Sequence, residues 1–265
     1  MRRFFTRTLL SLTSLLLPAL ASAQGFAAFI SPPRFEIKAT PGQPLRQVLE
    51  IQHVGRTPGN YRIYTNDWTL EGDNQVSFSN DLAPGSCRPW VAIERRELTL
   101  QPGARYRYRF EISPPAGTPP RECRFAIMVE GLEAAQVEGA VSFPVGGRIG
   151  VIVYAAIGDV APVLTIAGTE TVAVNGQPTA VVRVRNDGSS TGRLEGFLDV
   201  TDASGQRAEM SPVDLPILPG ETRRIALAAV AADNKAAPTL RFPIRVKGQL
   251  ESGKTKLPLD ASFPP

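Results

Sequence analysis

Histidine is almost missing from this chain of 265 residues: His53 stands alone, beside two cysteines, three methionines and two tryptophans. A zinc centre, or a nucleophile activated by imidazole, draws on residue types that are barely present. His53 alternates with Leu49 and Ile51 in an extended segment, which is the setting of a structural histidine. Carboxylates are plentiful, but no pair stands out by its spacing, so neither an enzyme nor a cofactor is expected. Helical periodicity is missing too, since no stretch keeps apolar residues on one helical face for several turns between caps. After Leu20 no apolar run is long enough to cross a bilayer, so a chain that does not span a membrane is expected. Charge of one sign is also lacking. Of 29 lysines and arginines, Arg2, Arg3 and Arg7 lie at the extreme start, leaving 26 against 25 acids. Nucleic acid is therefore not an expected partner, because phosphate neutralisation needs a concentrated basic surface.

Residues 1–23 have the form of a signal peptide: a basic start, an apolar middle from Leu9 to Leu20, and the small residues Ala21-Ser22-Ala23. The mature chain then begins near Gln24, exported to an oxidising compartment. Arg2-Arg3-Phe4-Phe5 faintly resembles a twin-arginine signal, which leaves both export routes open. In such a compartment the isolated pair Cys87 and Cys123 reads as a disulfide, with two buried free thiols as the alternative.

What the chain has is extended segments separated by Gly, Pro, Asn and Asp turns. The clearest is Arg105–Ile112, where Tyr106, Tyr108, Phe110 and Ile112 take one face and three arginines with Glu111 the other. The arginine stripe could meet an acidic partner, but the favoured reading is a solvated sheet face balanced by Glu111 and neighbouring strands. Further strands are expected at Ala28–Lys38, Leu45–His53, Tyr61–Thr69, Gln75–Ser79, Trp90–Arg95 and Cys123–Glu130. A second set follows at Val163–Ala167, Thr179–Arg185, Gly192–Thr201, Arg207–Leu215, Thr222–Val230, Leu240–Lys247 and Lys254–Leu259. Many short strands with turn signals imply an all-β fold of two tandem sandwiches. Their expected bounds are 24–158 and 159–265, with Asp159–Pro162 as the hinge.

Gly248-Gln-Leu-Glu-Ser-Gly253-Lys254-Thr255 matches the text of a phosphate-binding loop. That loop must open a helix, and only ten residues follow Thr255, among them Pro258, Pro264 and Pro265. A hairpin turn is expected instead. Arg34, after Ser31-Pro32-Pro33, could bind a carboxylate if it faces a cleft, or could be an ordinary edge-strand arginine.

The segment Val141–Tyr154 is longer than one strand needs. Val141, Phe143 and Val145 alternate, Ile149–Tyr154 is continuously apolar, and Arg148 stands between. It reads as a strand partly available to another chain, which would also invite self-association of the free protein.

Together, the proline-flanked Arg34, the Leu100-Gln-Pro-Gly103 turn before an alternating strand, Arg121-Glu122 opening the strand through Phe125, Ile127 and Val129, and Val141–Tyr154 resemble the PapD-like periplasmic chaperones of the chaperone–usher pathway. The resemblance covers essentially the whole mature chain. It implies two immunoglobulin-like domains around a cleft, and fimbrium biogenesis in the periplasm by donor-strand complementation of a pilus subunit. The subunit is then delivered to an outer-membrane usher. Val141, Phe143 and Val145 would be the donor residues, and Arg34 would anchor the subunit's terminal carboxylate. The chain departs from the family at Gly150, where a lysine is usual, and Arg148, about 7 Å along the strand, is the substitute anchor. It departs again at Ala155, where an arginine is usual. A structural or adhesion module on the same tandem sandwiches, without strand donation, is the alternative.

Overall fold

The computed structural model describes residues 26–72, 74–132, 147–231 and 236–265. The first domain places β1 (Ala28–Ser31), β2 (Arg34–Ala39), β3 (Leu45–His53), β4 (Gly59–Leu70), β5 (Val76–Ser79), β6 (Val91–Ile93), β7 (Glu97–Leu100), β8 (Arg105–Ile112), β9 (Arg121–Gly131) and β10 (Arg148–Ile157) in two sheets. One sheet runs β1-β3-β8-β6. The other runs β2-β10-β9-β4-β5, with β7 also paired to β4. Their inner faces form one core that includes Leu49, Ile51, Tyr108, Phe110, Phe125, Ile127, Val151 and Val153. Alternation drives this layering: in β8, Tyr108, Phe110 and Ile112 turn inward while Arg105, Arg107 and Arg109 face water. Glu50 and Glu94 lie beside that stripe, 3.7 Å from Arg105 and 3.8 Å from Arg109, so it is a solvated face with its own counter-charges.

The expected single strand Ala28–Lys38 is two strands in different sheets. β1 pairs antiparallel with β3, whereas β2 pairs parallel with β10. Pro32 and Pro33 lie between them, and proline has no amide proton to give a ladder, so pairing stops there and the chain crosses over. β7 went unrecognised because its alternation lasts only four residues.

The second domain is a seven-stranded path, β11-β12-β15-β14-β13-β16-β17. Its strands are β11 (Leu164–Val174), β12 (Gln177–Asn186), β13 (Leu198–Thr201), β14 (Arg207–Pro212), β15 (Thr222–Ala229), β16 (Ile244–Ser252) and β17 (Thr255–Phe263). All contribute to one core, with Leu164, Val182, Val200, Met210, Ile225, Val246 and Phe263 among its members. β15 pairs with β12 through Thr222–Ala226 and with β14 through Leu227–Ala229, so the path folds over its own core and gives this domain, like the first, an immunoglobulin-like sandwich build. β11 is longer than expected because a register shift between Ile166 and Gly168 lets it continue past the break. The text match to a phosphate-binding loop is the β16–β17 hairpin, whose turn holds Gly253 at φ 58°.

Asn186, the last residue of β12, has its side chain buried. It donates to the carbonyls of Ser190 and Ile217 and accepts from the amides of Val163 and Gly188, pinning the linker to the second domain. His53 is a buried structural residue, 2.5 Å from the Tyr61 hydroxyl and 2.6 Å from the Thr57 carbonyl.

Cys87 and Cys123 are bridged, which joins the loop after β5 to the centre of the first core. The bridge spans 36 residues, a loop whose closure stabilises the native state by about 3 to 4 kcal/mol in the chain-entropy model. Trp68 and Trp90 both lie in this domain, so tryptophan fluorescence reports its unfolding alone. Urea unfolding of a Cys87→Ala/Cys123→Ala protein should show a loss of that size. Unchanged unfolding would refute the loop-closure account.

Candidate functional site

The face of β10 turned away from the first core carries Arg148, Gly150, Ile152, Tyr154 and Ala156, and the matching face of β2 carries Arg34, Glu36 and Lys38. Register sets Arg34 beside Ile152 and Glu36 beside Tyr154. On β9 the same face presents Arg124 and Glu122 opposite Tyr154 and Ala156. The second domain stands over this face, leaving a cleft of about 570 Å³ lined by both domains.

Four charged side chains close the outer part of the domain contact as a ring. Arg34 donates to Asp214 (2.6 Å) and Glu36 (3.0 Å), and Arg193 donates to Asp214 (2.7 Å) and Glu36 (2.9 Å). Each Asp214 oxygen takes one guanidinium. Burial alone would raise the Asp214 carboxyl, but the two arginines overcome it and hold it below the usual carboxylate range. Arg193 is 10% exposed and lies over the Tyr154 ring at 5.6 Å. Burial pushes that phenol up to about 12. Tyr154 in turn meets Trp68 edge to face, with Arg124 over the indole.

Deeper in the cleft the Glu122 carboxylate accepts from the Thr191 amide (2.6 Å) and hydroxyl (2.7 Å) across the domain boundary. Burial raises its pKa, and the Thr191 bonds and Arg124 offset this only in part. A third contact comes from Arg223 of β15, which donates to Asn74 (2.7 Å) and the Glu71 carbonyl (3.3 Å) at the tip of the β4–β5 hairpin.

Of the residues expected to act, Arg34 lies at the cleft edge, and its guanidinium is engaged by Asp214 and Glu36. Arg148 is exposed, four residues along β10 from the position that faces Arg34, or about 13 Å. Phe78 stands between them: a Cβ placed on Gly150 would lie 2.5 Å from its ring. That contact leaves no room for a lysine side chain at this position. Ala155 points into the first core opposite Cys123, so an arginine there would enter the interior. Val141, Phe143 and Val145 lie outside the described residues. Arg193, Asp214 and Thr191 were not foreseen, because nothing in their local sequence distinguishes them from other loop or strand polar residues, and Glu122 was noted only as part of the pair that opens its strand.

β10 pairs with β9 along its whole length but with β2 only from Ile152 onward. Arg148–Val151 therefore have no strand on the β2 side among the described residues. No cluster of three or more metal-ligating side chains occurs among the described residues, and none of their helices is long and apolar enough to cross a membrane.

No protein-family model matches the chain, and no curated protein does. Several solved structures are similar to it. The class 5 fimbriae chaperone CfaA is 12% identical at a TM-score of 0.47, covering 90% of this chain and 99% of that one. The CupB2 chaperone of Pseudomonas aeruginosa is 9% identical at 0.47, covering 89% and 100%. A chain from the CsuC–CsuE chaperone–tip subunit pre-assembly complex of Acinetobacter baumannii is 14% identical at 0.45, covering 90% and 98%.

Two outcomes follow from the packing. Gly150→Lys should destabilise the first domain by about 1 to 3 kcal/mol through overpacking against Phe78 and Met128, read by tryptophan fluorescence; a neutral effect would remove the steric account. A carboxyl whose pKa is raised by folding stabilises the native state fully below its unfolded value and loses that contribution as pH rises through the folded one. From the ordinary glutamate value of 4.5 upward, the wild type should therefore lose stability relative to Glu122→Gln. Parallel stability curves for the two proteins would count against a raised Glu122.

Proposed function

We propose that this chain is a periplasmic chaperone that binds a pilus subunit by lending it a strand and delivers the subunit to an outer-membrane usher. One observation carries the reading: among the described residues, the leading half of β10, Arg148–Val151, has no strand along the edge that β2 covers from Ile152 onward. An unpaired strand edge is a template for another chain, which gains main-chain hydrogen bonds along it. The neighbouring Arg34 supplies a cation at the cleft edge for a subunit's terminal carboxylate, and Arg148 flanks the open segment on the same face. In the sequence upstream of that edge Val141, Phe143 and Val145 alternate, and in this reading they are the apolar side chains offered to a subunit groove. Each large side chain buried there would contribute about 1.5 to 3 kcal/mol. Residues 24–158 form the strand-lending domain in this reading, 159–265 the second wall of the cleft, and 1–23 the cleaved export signal.

Co-expression with a pilus subunit from the same genome tests it. A one-to-one complex should be recovered by size exclusion, and both Arg34→Glu and Phe143→Glu should reduce its yield at least about tenfold while circular dichroism stays unchanged. A subunit that is equally stable alone and never co-purifies would sink the chaperone reading in favour of a structural or adhesion module.

A further inference from the structure

Arg34 is not waiting empty for a carboxylate; it already holds one. Asp214 places one oxygen 2.6 Å from Arg34 and the other 2.7 Å from Arg193, the two-point grip that a chain-terminal carboxylate would receive. The two arginines differ in exposure, and Arg34 is 40% exposed. Arg193 is 10% exposed, held at 2.9 Å by Glu36 and backed by the Tyr154 ring, so its guanidinium is fixed before any ligand arrives. Asp214 is 57% exposed, in the loop after β14, and ion pairs this open to water are weak. On β10 the position that could add a cation is closed, because Phe78 covers Gly150.

We propose that Arg34 and Arg193, one from each domain, form a two-arginine carboxylate site in which Asp214 is an internal occupant displaced by the carboxylate of an incoming peptide. That the peptide is a pilus subunit's C-terminus rests on the chaperone reading above; the site itself does not. Charge supports the exchange. With Asp214 in place the ring has two cations and two anions, and with Asp214 in water it keeps Arg34, Arg193 and Glu36, an excess of one positive charge that a monoanion neutralises. One carboxylate replaces another, so the hydrogen bonds made equal those lost. Asp214 competes at the high effective concentration of a tethered group, so a free acid in solution is a poor ligand. A carboxylate carried by a strand already docked on β10 competes on equal terms. Asp214 thereby makes carboxylate binding conditional on strand binding.

The test follows the side-chain Nε–H signals of Arg34 and Arg193 by NMR in the full mature chain, titrated with acetyl-Val-Thr-Val bearing a free carboxylate and with its carboxamide. Asp214→Asn should bind the free acid at least about tenfold more tightly than the wild type, and the carboxamide should move neither signal. Asp214→Ala should behave alike, which guards against a residual bond from asparagine or a folding defect in one variant. Adding Arg193→Lys to Asp214→Asn should abolish most of the gain. Equal affinity in wild type and Asp214 variants, or equal shifts from acid and carboxamide, would overturn the proposal. If the tripeptide result holds but neither protein captures a pilus subunit, the two-arginine site stands and the chaperone reading falls.

Discussion

Backbone hydrogen bonding imposes the constraint from which the rest of this molecule follows, because every amide and carbonyl in a sheet must find a partner or face water. Among the described residues of the first domain, β10 is paired on both sides only from Ile152 to Ile157. Before that, the chain that would have covered it has crossed to the other sheet at Pro32-Pro33 and runs as β1 against β3. The same crossover that gives the sandwich a strand in each layer thus leaves one strand half covered. It also delivers Arg34, the first residue of β2, to the point where the cover begins.

The second domain is positioned against that point by three different kinds of contact. In the ring with Arg193, the other three members, Arg34, Glu36 and Asp214, are open to water, where single ion pairs contribute about 0 to 1 kcal/mol, so it orients the domains more than it binds them. The bonds of Glu122 to Thr191 are buried, and breaking them would strand a carboxylate out of water. Arg223 fastens the β4–β5 hairpin tip from the other side. A strong inner contact beside a weak outer one allows side chains at the cleft mouth to rearrange while the domains stay in place.

Much of this was legible in the residues. Strands such as Leu45–His53 and Arg105–Ile112 announce themselves because one face is buried and the other wet, and alternation is the imprint of that asymmetry. Where the imprint is weak, reading fails: Glu97–Leu100 is too short, and the expected Gly192–Thr201 strand reduces to Leu198–Thr201 with isolated bridges at Gly192 and Glu195. At the cleft, Arg34 could be singled out because prolines mark its strand as an edge. Asp214 could not, since its partner lies 180 residues away and an acid in a loop looks like any other.

By itself, the sequence determined the β class and the tandem sandwiches, because these follow from local periodicity and turn residues. It determined the proximity of Arg34 to a strand edge for the same reason. Only the tertiary structure decided which strand that edge belongs to, that Phe78 occupies the space above Gly150, and that Arg34 and Arg193 meet on one carboxylate. Those facts depend on register and on contacts between the domains, and a charged side chain has no local pattern that names the distant group it will face.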